Sequence, residues 1–226
     1  LKYTPVRMTQ LEAVLLAVDS AAASVFTQAY SAADTLLQRL VPAAYYREIY
    51  ALERAVGLFN FPLATPGAVA RVTGDAWWDK RWSDALWGHV QDFDVRMKEI
   101  VREGVKRGLG IDDMAAQLQK LSNQSRYNVR RLVRTEAARC SEHATLLAYE
   151  EAGVERYRYL ATLDLRTSAV CRSLDGQEFA VEKAQSGVNY PPMHPNCRST
   201  TVAVVEGMDT RRDERYARDP VTGGGT

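Results

Sequence analysis

Residues 144–163 read ATLLAYEEAGVERYRYLATL, and within them the chain changes its period. Up to Glu151 the apolar side chains continue a helical stripe, Val129, Val133, Ala137, Cys140, Ala144 and Leu147, spaced by three and four. Gly153 follows, where a helix end favours a residue that enters the left-handed region without steric cost. From Arg156 to Leu163 the texture is that of a strand carrying Tyr157, Tyr159 and Leu160. Helix before and strand after predict an α+β chain, mainly α. A long-helix body leads into a small β-rich, loop-rich C-terminal module.

Upstream, residues 8–56 read as helix, with Leu11, Val14, Val18, Ala22, Val25 and Ala29 on one face. Pro42 is expected to break this segment, which resumes from Ala43 to Val56 with Tyr45, Tyr46 and Tyr50 as anchors. Gly57 to Gly74 contains Pro62, Pro66 and Gly67 without periodicity and reads as a connector or arm. A second block, Trp78, Trp82, Leu86, Val90, Phe93, Met97, Val101 and Val105, forms a long amphipathic helix closed by Gly108 and Gly110. Trp78 and Trp82 fall on its inner stripe; Trp77 and Trp87 lie off it, where they could face a partner. Ile111 to Leu121 reads as a short helix, with Asp112 and Asp113 at its positive end. A third helix is expected from about Ser125 to Glu151. Downstream of Gly153, Gly176 marks a turn, and strands are expected at 178–181 and 200–205. The resulting linear division is 1–74, a helical region with its connector; 75–152, the body; 153–207, the module; and 208–226, an Arg- and Asp-rich exposed tail.

The composition narrows the class. With 226 residues, 46% hydrophobic and 25% charged, the chain can bury a sizeable core. A net charge of +1 gives no whole-molecule attraction to nucleic acid, so any basic surface is local. No apolar run reaches the roughly 18–20 residues of a membrane span. The chain starts at Leu1 and is expected to be a piece of a longer protein. Three cysteines make no disulfide framework, as expected of a reducing compartment.

Chemistry concentrates in the module. His194 and Cys197 are separated by two residues, so one turn can present both, and Cys171 returns from an earlier loop. Thiolates and an imidazole so arranged suit zinc, with a fourth ligand from Asp164, Asp175, His143 or water. A module of about 50 residues buries too little apolar area to be rigid alone, so a metal staple has a physical purpose. The alternative is a buried, packing Cys171 and a His194 that bonds its own turn. Between 126 and 139 five arginines face one acid, and Arg126, Arg130 and Arg134 form a stripe that could meet phosphates. Equally, the stripe could be a solvated face, with Glu136 and Arg139 pairing locally. Asp164 and Glu136, with Arg166, could build an acid–base pair if they converged.

Taken together these residues resemble the Mu F-like minor head (head-morphogenesis) proteins of tailed bacteriophages. The resemblance covers roughly residues 75 to 220. It runs through the tryptophan-bearing helix, Gly108 and Gly110, Arg134-Thr135-Glu136, Asp164 with Arg166-Thr167, Cys171, Leu174-Asp175-Gly176 and Pro191-Pro192-Met193-His194-Pro195-Asn196-Cys197-Arg198. It implies that Arg134, Glu136, Asp164, Arg166, Cys171, Asp175, His194, Cys197 and Arg198 occupy recurrent motif positions. It also implies that Cys171 exchanges with histidine in relatives, as zinc ligation tolerates. Many relatives end the motif Cys-Arg-Cys, whereas Ser199 stands here.

The implied function is structural: a minor capsid protein of a tailed phage or prophage, not an enzyme. The implied partners are the portal protein, the major capsid or scaffold protein, and phage DNA. The implied place is the capsid interior near the portal, with the host cytoplasm during assembly. Two alternatives stay open, a metal-dependent hydrolase or toxin-like enzyme and a primarily DNA-binding protein.

Overall fold

A computed structural model describes residues 5–56, 63–74 and 81–205. The helices are α1 (Pro5–Val56), α2 (Pro66–Gly74), α3 (Trp82–Arg107), α4 (Ile111–Glu151) and the short α5 (Ala169–Leu174). The strands are β1 (Arg156–Leu160), β2 (Glu178–Ala180) and β3 (Thr200–Val204), with a 3-10 turn at Val181–Lys183. The fold is mainly α with a small antiparallel sheet, as the change of period predicts.

Helices α1 and α4 are longer than their patterns suggest. Pro42 lies inside α1 without ending it. Its ring costs about 3 kcal/mol in a helix interior. Around it Leu37, Val41, Ala44, Tyr45, Ile49 and Leu52 are all buried. Burying a Leu, Ile or Val contributes about 1.5–3 kcal/mol each, which outweighs one proline. The separate helices expected at 111–121 and 125–151 are likewise one helix, because Ser122, Asn123 and Gln124 contain no breaker. Part of the expected connector is helix α2, started by Thr65, whose Oγ1 accepts from the Ala68 N–H at 3.1 Å. Val69, Val72 and Thr73 are its buried face, a signal too short to read as a period. Residues 57–62, Trp77, Trp78 and the 208–226 tail lie outside the described residues.

The chain forms two compact units, and both are discontinuous. This departs from the linear division, because long helices make their contacts with elements distant in sequence. The first unit comprises Leu1–Thr35 and Ala76–Val133. In it Tyr30 of α1 stacks on Trp82 of α3 with ring centroids 5.0 Å apart, and Phe26 meets Trp87 edge-on at 4.7 Å. Trp82 is buried, whereas Trp87 keeps 42% of its surface exposed. Gly108 ends α3 at φ 66°, and the Leu109 N–H returns to the Gly104 carbonyl at 2.9 Å. A Cβ on Gly104 would fall on the Met114 side chain, so this glycine permits the close approach of α4.

The second unit comprises Leu36–Asp75 and Arg134–Thr226. Its sheet has the order β2-β1-β3, and Tyr157 sits opposite both Phe179 and Ala203. One apolar cluster joins Leu52 of α1 and Tyr149 of α4 to Tyr157, Val181, Tyr190 and Ala203. The Tyr190 hydroxyl donates to the Glu142 carbonyl at 2.6 Å, which satisfies a phenol that has no exposed surface. A second cluster contains Tyr159, Ala161, Cys171, Met193 and Cys197.

Candidate metal centre

Strand β1 delivers Tyr159 and Ala161 to the second cluster, and three turns around it build the site. In the first, Asp164 Oδ1 accepts the Arg166 N–H at 2.8 Å and the Thr167 hydroxyl at 3.1 Å. This local Asx-type bonding fixes residues 164–167 before α5. In the second, Ser168 caps α5 and accepts from the Cys171 N–H at 3.2 Å, while Asp175 Oδ1 accepts the Ala161 N–H at 2.8 Å. Gly176, at φ 77°, then returns the chain to β1. In the third, Asn196 takes φ 61°, which asparagine tolerates better than most residues, and the Cys197 N–H reaches the His194 carbonyl at 3.0 Å. The Asn196 N–H is in turn held by the buried Thr135 hydroxyl of α4 at 3.0 Å.

These turns bring Cys171, His194 and Cys197 together, with one ligand atom from each within 4.8 Å of the others. Cys171 Sγ lies 3.8 Å from Cys197 Sγ and 3.3 Å from His194 Nε2. Zinc–sulfur bonds of about 2.3 Å and zinc–nitrogen bonds of about 2.0 Å at tetrahedral angles require edges of about 3.8 and 3.5 Å. The two edges that meet at Cys171 therefore match a zinc tetrahedron, and the third, His194 Nε2 to Cys197 Sγ, is within 4.8 Å. The imidazole is also held in the right tautomer. Its Nδ1 lies 3.0 Å from the Pro195 carbonyl, which can only accept, so Nδ1 carries the proton and Nε2 keeps its lone pair. Burial would raise the Cys171 thiol, but the hydrogen-bonding hydroxyls of Ser168, Ser199 and Tyr159 outweigh it and bring Cys171 down to about 7. That polar surround does not suit a merely packing cysteine, although Cys171 is buried among apolar neighbours.

The other expected ligands are engaged elsewhere. Both oxygens of Asp164 are taken by the fork of Arg198, at 2.5 and 2.7 Å. That pairing, more than the Arg166 N–H, holds the Asp164 carboxyl well below the usual carboxylate range. Asp164 thus ties the 164–167 turn to the 194–198 turn and does not join the three ligands. Asp175 closes its own turn, and His143 Nε2 lies 3.0 Å from Ser186 Oγ. Cys140 is fully buried on α4, beside Arg139 and the Val72 carbonyl.

The acid–base pair that Asp164 and Glu136 could build on converging is also not assembled. Glu136 accepts from Arg139 at 2.8 Å in a buried ion pair, and Arg139 donates to the Val72 carbonyl at 3.0 Å. Glu136 and Arg139 therefore pair in the core and leave the basic stripe. Arg126, Arg130 and Arg134 are all exposed on α4. Motif residues Arg166 and Arg198 border a small open cleft of about 20 Å³ that also meets Thr162, Ser168, His194 and Ser199.

Three functional neighbours escape a sequence reading. The Tyr159 hydroxyl donates to Cys171 Sγ at 3.4 Å, and Ser199 hydrogen-bonds both Cys171 and Tyr159. Ser168 Oγ lies 2.9 Å from His194 Nε2. Ser168 left a signal as a helix cap three residues before Cys171, and Ser199 left one as the residue standing where the resembled motif ends in cysteine.

With this geometry in place, kinship can be tested. Residues 96–202 match the family model described as Phage Mu protein F like protein. Over these residues the chain is similar to that family. The matched segment covers a little under half of the chain and contains Cys171, His194 and Cys197. It agrees with the kinship to phage head-morphogenesis proteins implied by the spaced motifs.

Among curated proteins, the chain is similar to the NAD(+)–arginine ADP-ribosyltransferase EFV of Enterococcus faecalis, 26% identical over 186 residues. That alignment covers 75% of this chain and 38% of that protein. It is also similar to an uncharacterized protein of Haemophilus influenzae, 24% identical over 114 residues, covering 50% of this chain and 26% of the other. The chain therefore spans well under half the length of either relative. No solved structure matches it.

Proposed function

We propose that this chain is a minor capsid protein that acts in head morphogenesis of a tailed phage or prophage. The carrying observation is the Mu F-like match, which spans the three turns of the module and its ligand cluster. In this reading zinc, bound by Cys171, His194 and Cys197, staples the module, and the long helices offer surface to other head proteins. The portal protein is the first partner to test, with the major capsid or scaffold protein next. The place of action is the capsid interior near the portal, reached from the host cytoplasm during assembly. Co-sedimentation of the purified chain with portal rings and with procapsids tests this; absence from both pellets removes the assembly role. Elemental analysis tests the staple: about one zinc per wild-type chain is expected, with zinc and thermal stability lost together in Cys197→Ala. Stability unchanged by that substitution and by chelation would refute it.

One observation favours a second reading, in which the metal is catalytic. The described residues supply three protein ligands beside an open cleft, and catalytic zinc sites keep such a position free. Similarity to a protein named as an ADP-ribosyltransferase keeps an enzyme in view, though the shared region is 38% of that protein. A hydrolase built on Asp164 and Glu136 is disfavoured, since arginines occupy both carboxylates. A DNA role rests on Arg126, Arg130 and Arg134. It requires affinity that falls steeply with salt and weakens when all three become glutamine.

A further inference from the structure

The open side of the ligand cluster has a chemistry of its own. Zinc in such sites is four-coordinate. Among the described residues, Cys171, His194 and Cys197 supply three corners, while Asp164, Asp175 and His143 are committed to other partners. The cleft runs past two of these ligands, Cys171 and His194, and there Ser168 Oγ stands 2.9 Å from His194 Nε2 and Ser199 hydrogen-bonds Cys171. No carboxylate lines this cleft, but two arginines do. The Arg198 charge is matched by Asp164 through two hydrogen bonds. Arg166 is exposed, and no carboxylate pairs with its guanidinium among the described residues. Its backbone is fixed by the Asp164 turn, so the planar fork projects from a rigid base. A guanidinium fork and nearby hydroxyls recognise the oxygens of a carboxylate or phosphate. Charge favours the same ligand: two thiolates neutralise a divalent zinc, and one further anion is balanced by Arg166.

We infer that the cleft is an oxyanion site, in which a carboxylate or phosphate oxygen completes the coordination of the metal and Arg166 grips the same group. The inference rests on the metal reading of Cys171, His194 and Cys197. A site open to an outside anion would let a partner's acidic side chain or a nucleic-acid phosphate clip onto the module without rearranging it.

The test uses the full chain loaded with cobalt(II) in place of zinc. Its near-ultraviolet sulfur-to-cobalt band reports that metal is bound, and its visible bands report the fourth ligand. Sodium acetate and inorganic phosphate are titrated separately at constant pH and ionic strength. A saturable shift of the visible bands with either anion, while the sulfur band persists, is expected. The responding anion identifies the class of the ligand. In Arg166→Gln, a surface change that leaves the ligands intact, the half-saturating concentration should rise about tenfold. Ser199→Cys should place a thiolate at the open corner, tighten cobalt binding and abolish the response. A sulfur band with visible bands that neither anion moves would overturn the inference and leave the metal reading standing. That outcome includes a site closed by a ligand from outside the described residues. Equal titrations for wild type and Arg166→Gln would also overturn it. Absence of the sulfur band would overturn both.

Discussion

Glu142 offers a quantitative test of the packing in the second unit. It sits on α4 with 8% of its surface exposed, and its Oε2 has no hydrogen-bond partner among the described residues. Burial pushes the carboxyl up from 4.5 to about 7; Thr200 opposes this by a hydrogen bond, Glu48 reinforces it, and Arg47 opposes it. The sign follows from linkage. Below the unfolded value both states hold the proton, so the full stability is present. As pH rises towards 7 the unfolded chain releases the proton while the folded one keeps it, and stability falls. A difference between 4.5 and about 7 corresponds to about 3 kcal/mol lost across that window. Glutamine at 142 keeps the shape and cannot ionise. In urea titrations at pH 4.5, 6 and 7.5, the stability of Glu142→Gln relative to wild type should rise with pH by about 3 kcal/mol. Other carboxylates cancel in this difference, apart from Glu48, which is raised mainly by its own burial and is freed from a charged neighbour in the variant. A difference that stays constant from pH 4.5 to 7.5 would refute the burial of an uncompensated carboxyl.

Two further substitutions probe the interiors of α4 and α1. Arg139→Leu strands the buried Glu136 and should cost about 3–5 kcal/mol in chemical denaturation, while the double replacement of Arg139 and Glu136 by leucine should recover most of it. No recovery in the double variant would mean that the Val72 carbonyl, rather than the ion pair, is what Arg139 serves. Pro42→Ala should raise stability by about 1–2 kcal/mol by restoring a helix hydrogen bond. A loss of stability there would show that the half-buried ring is needed for packing.

What the sequence alone determined is what local chemistry controls. Apolar spacing marked α1, α3 and α4 as helices, although Val25 and Val105 of the expected inner stripes are exposed. Gly108 and Gly153 marked helix ends because positive φ costs glycine little, and both adopt φ 66°. Alternation around Tyr157 and Tyr159 marked β1, and the spacing of His194 and Cys197 marked a turn that presents two ligands. The tertiary structure decided everything that depends on which groups meet. Asp164 and Asp175 look equally suited to zinc as residues, but Arg198 and the Ala161 N–H claim them, because their turns lie nearer to those partners than to the thiols. Glu136 and Arg139 read as surface charges until α2 packs over them and supplies the Val72 carbonyl. Pro42 reads as a break until the buried residues flanking it are counted. Ser168 and Tyr159 carry no motif; they and Ser199 matter because folding sets their hydroxyls beside Cys171 and His194, a proximity that no spacing along the chain encodes.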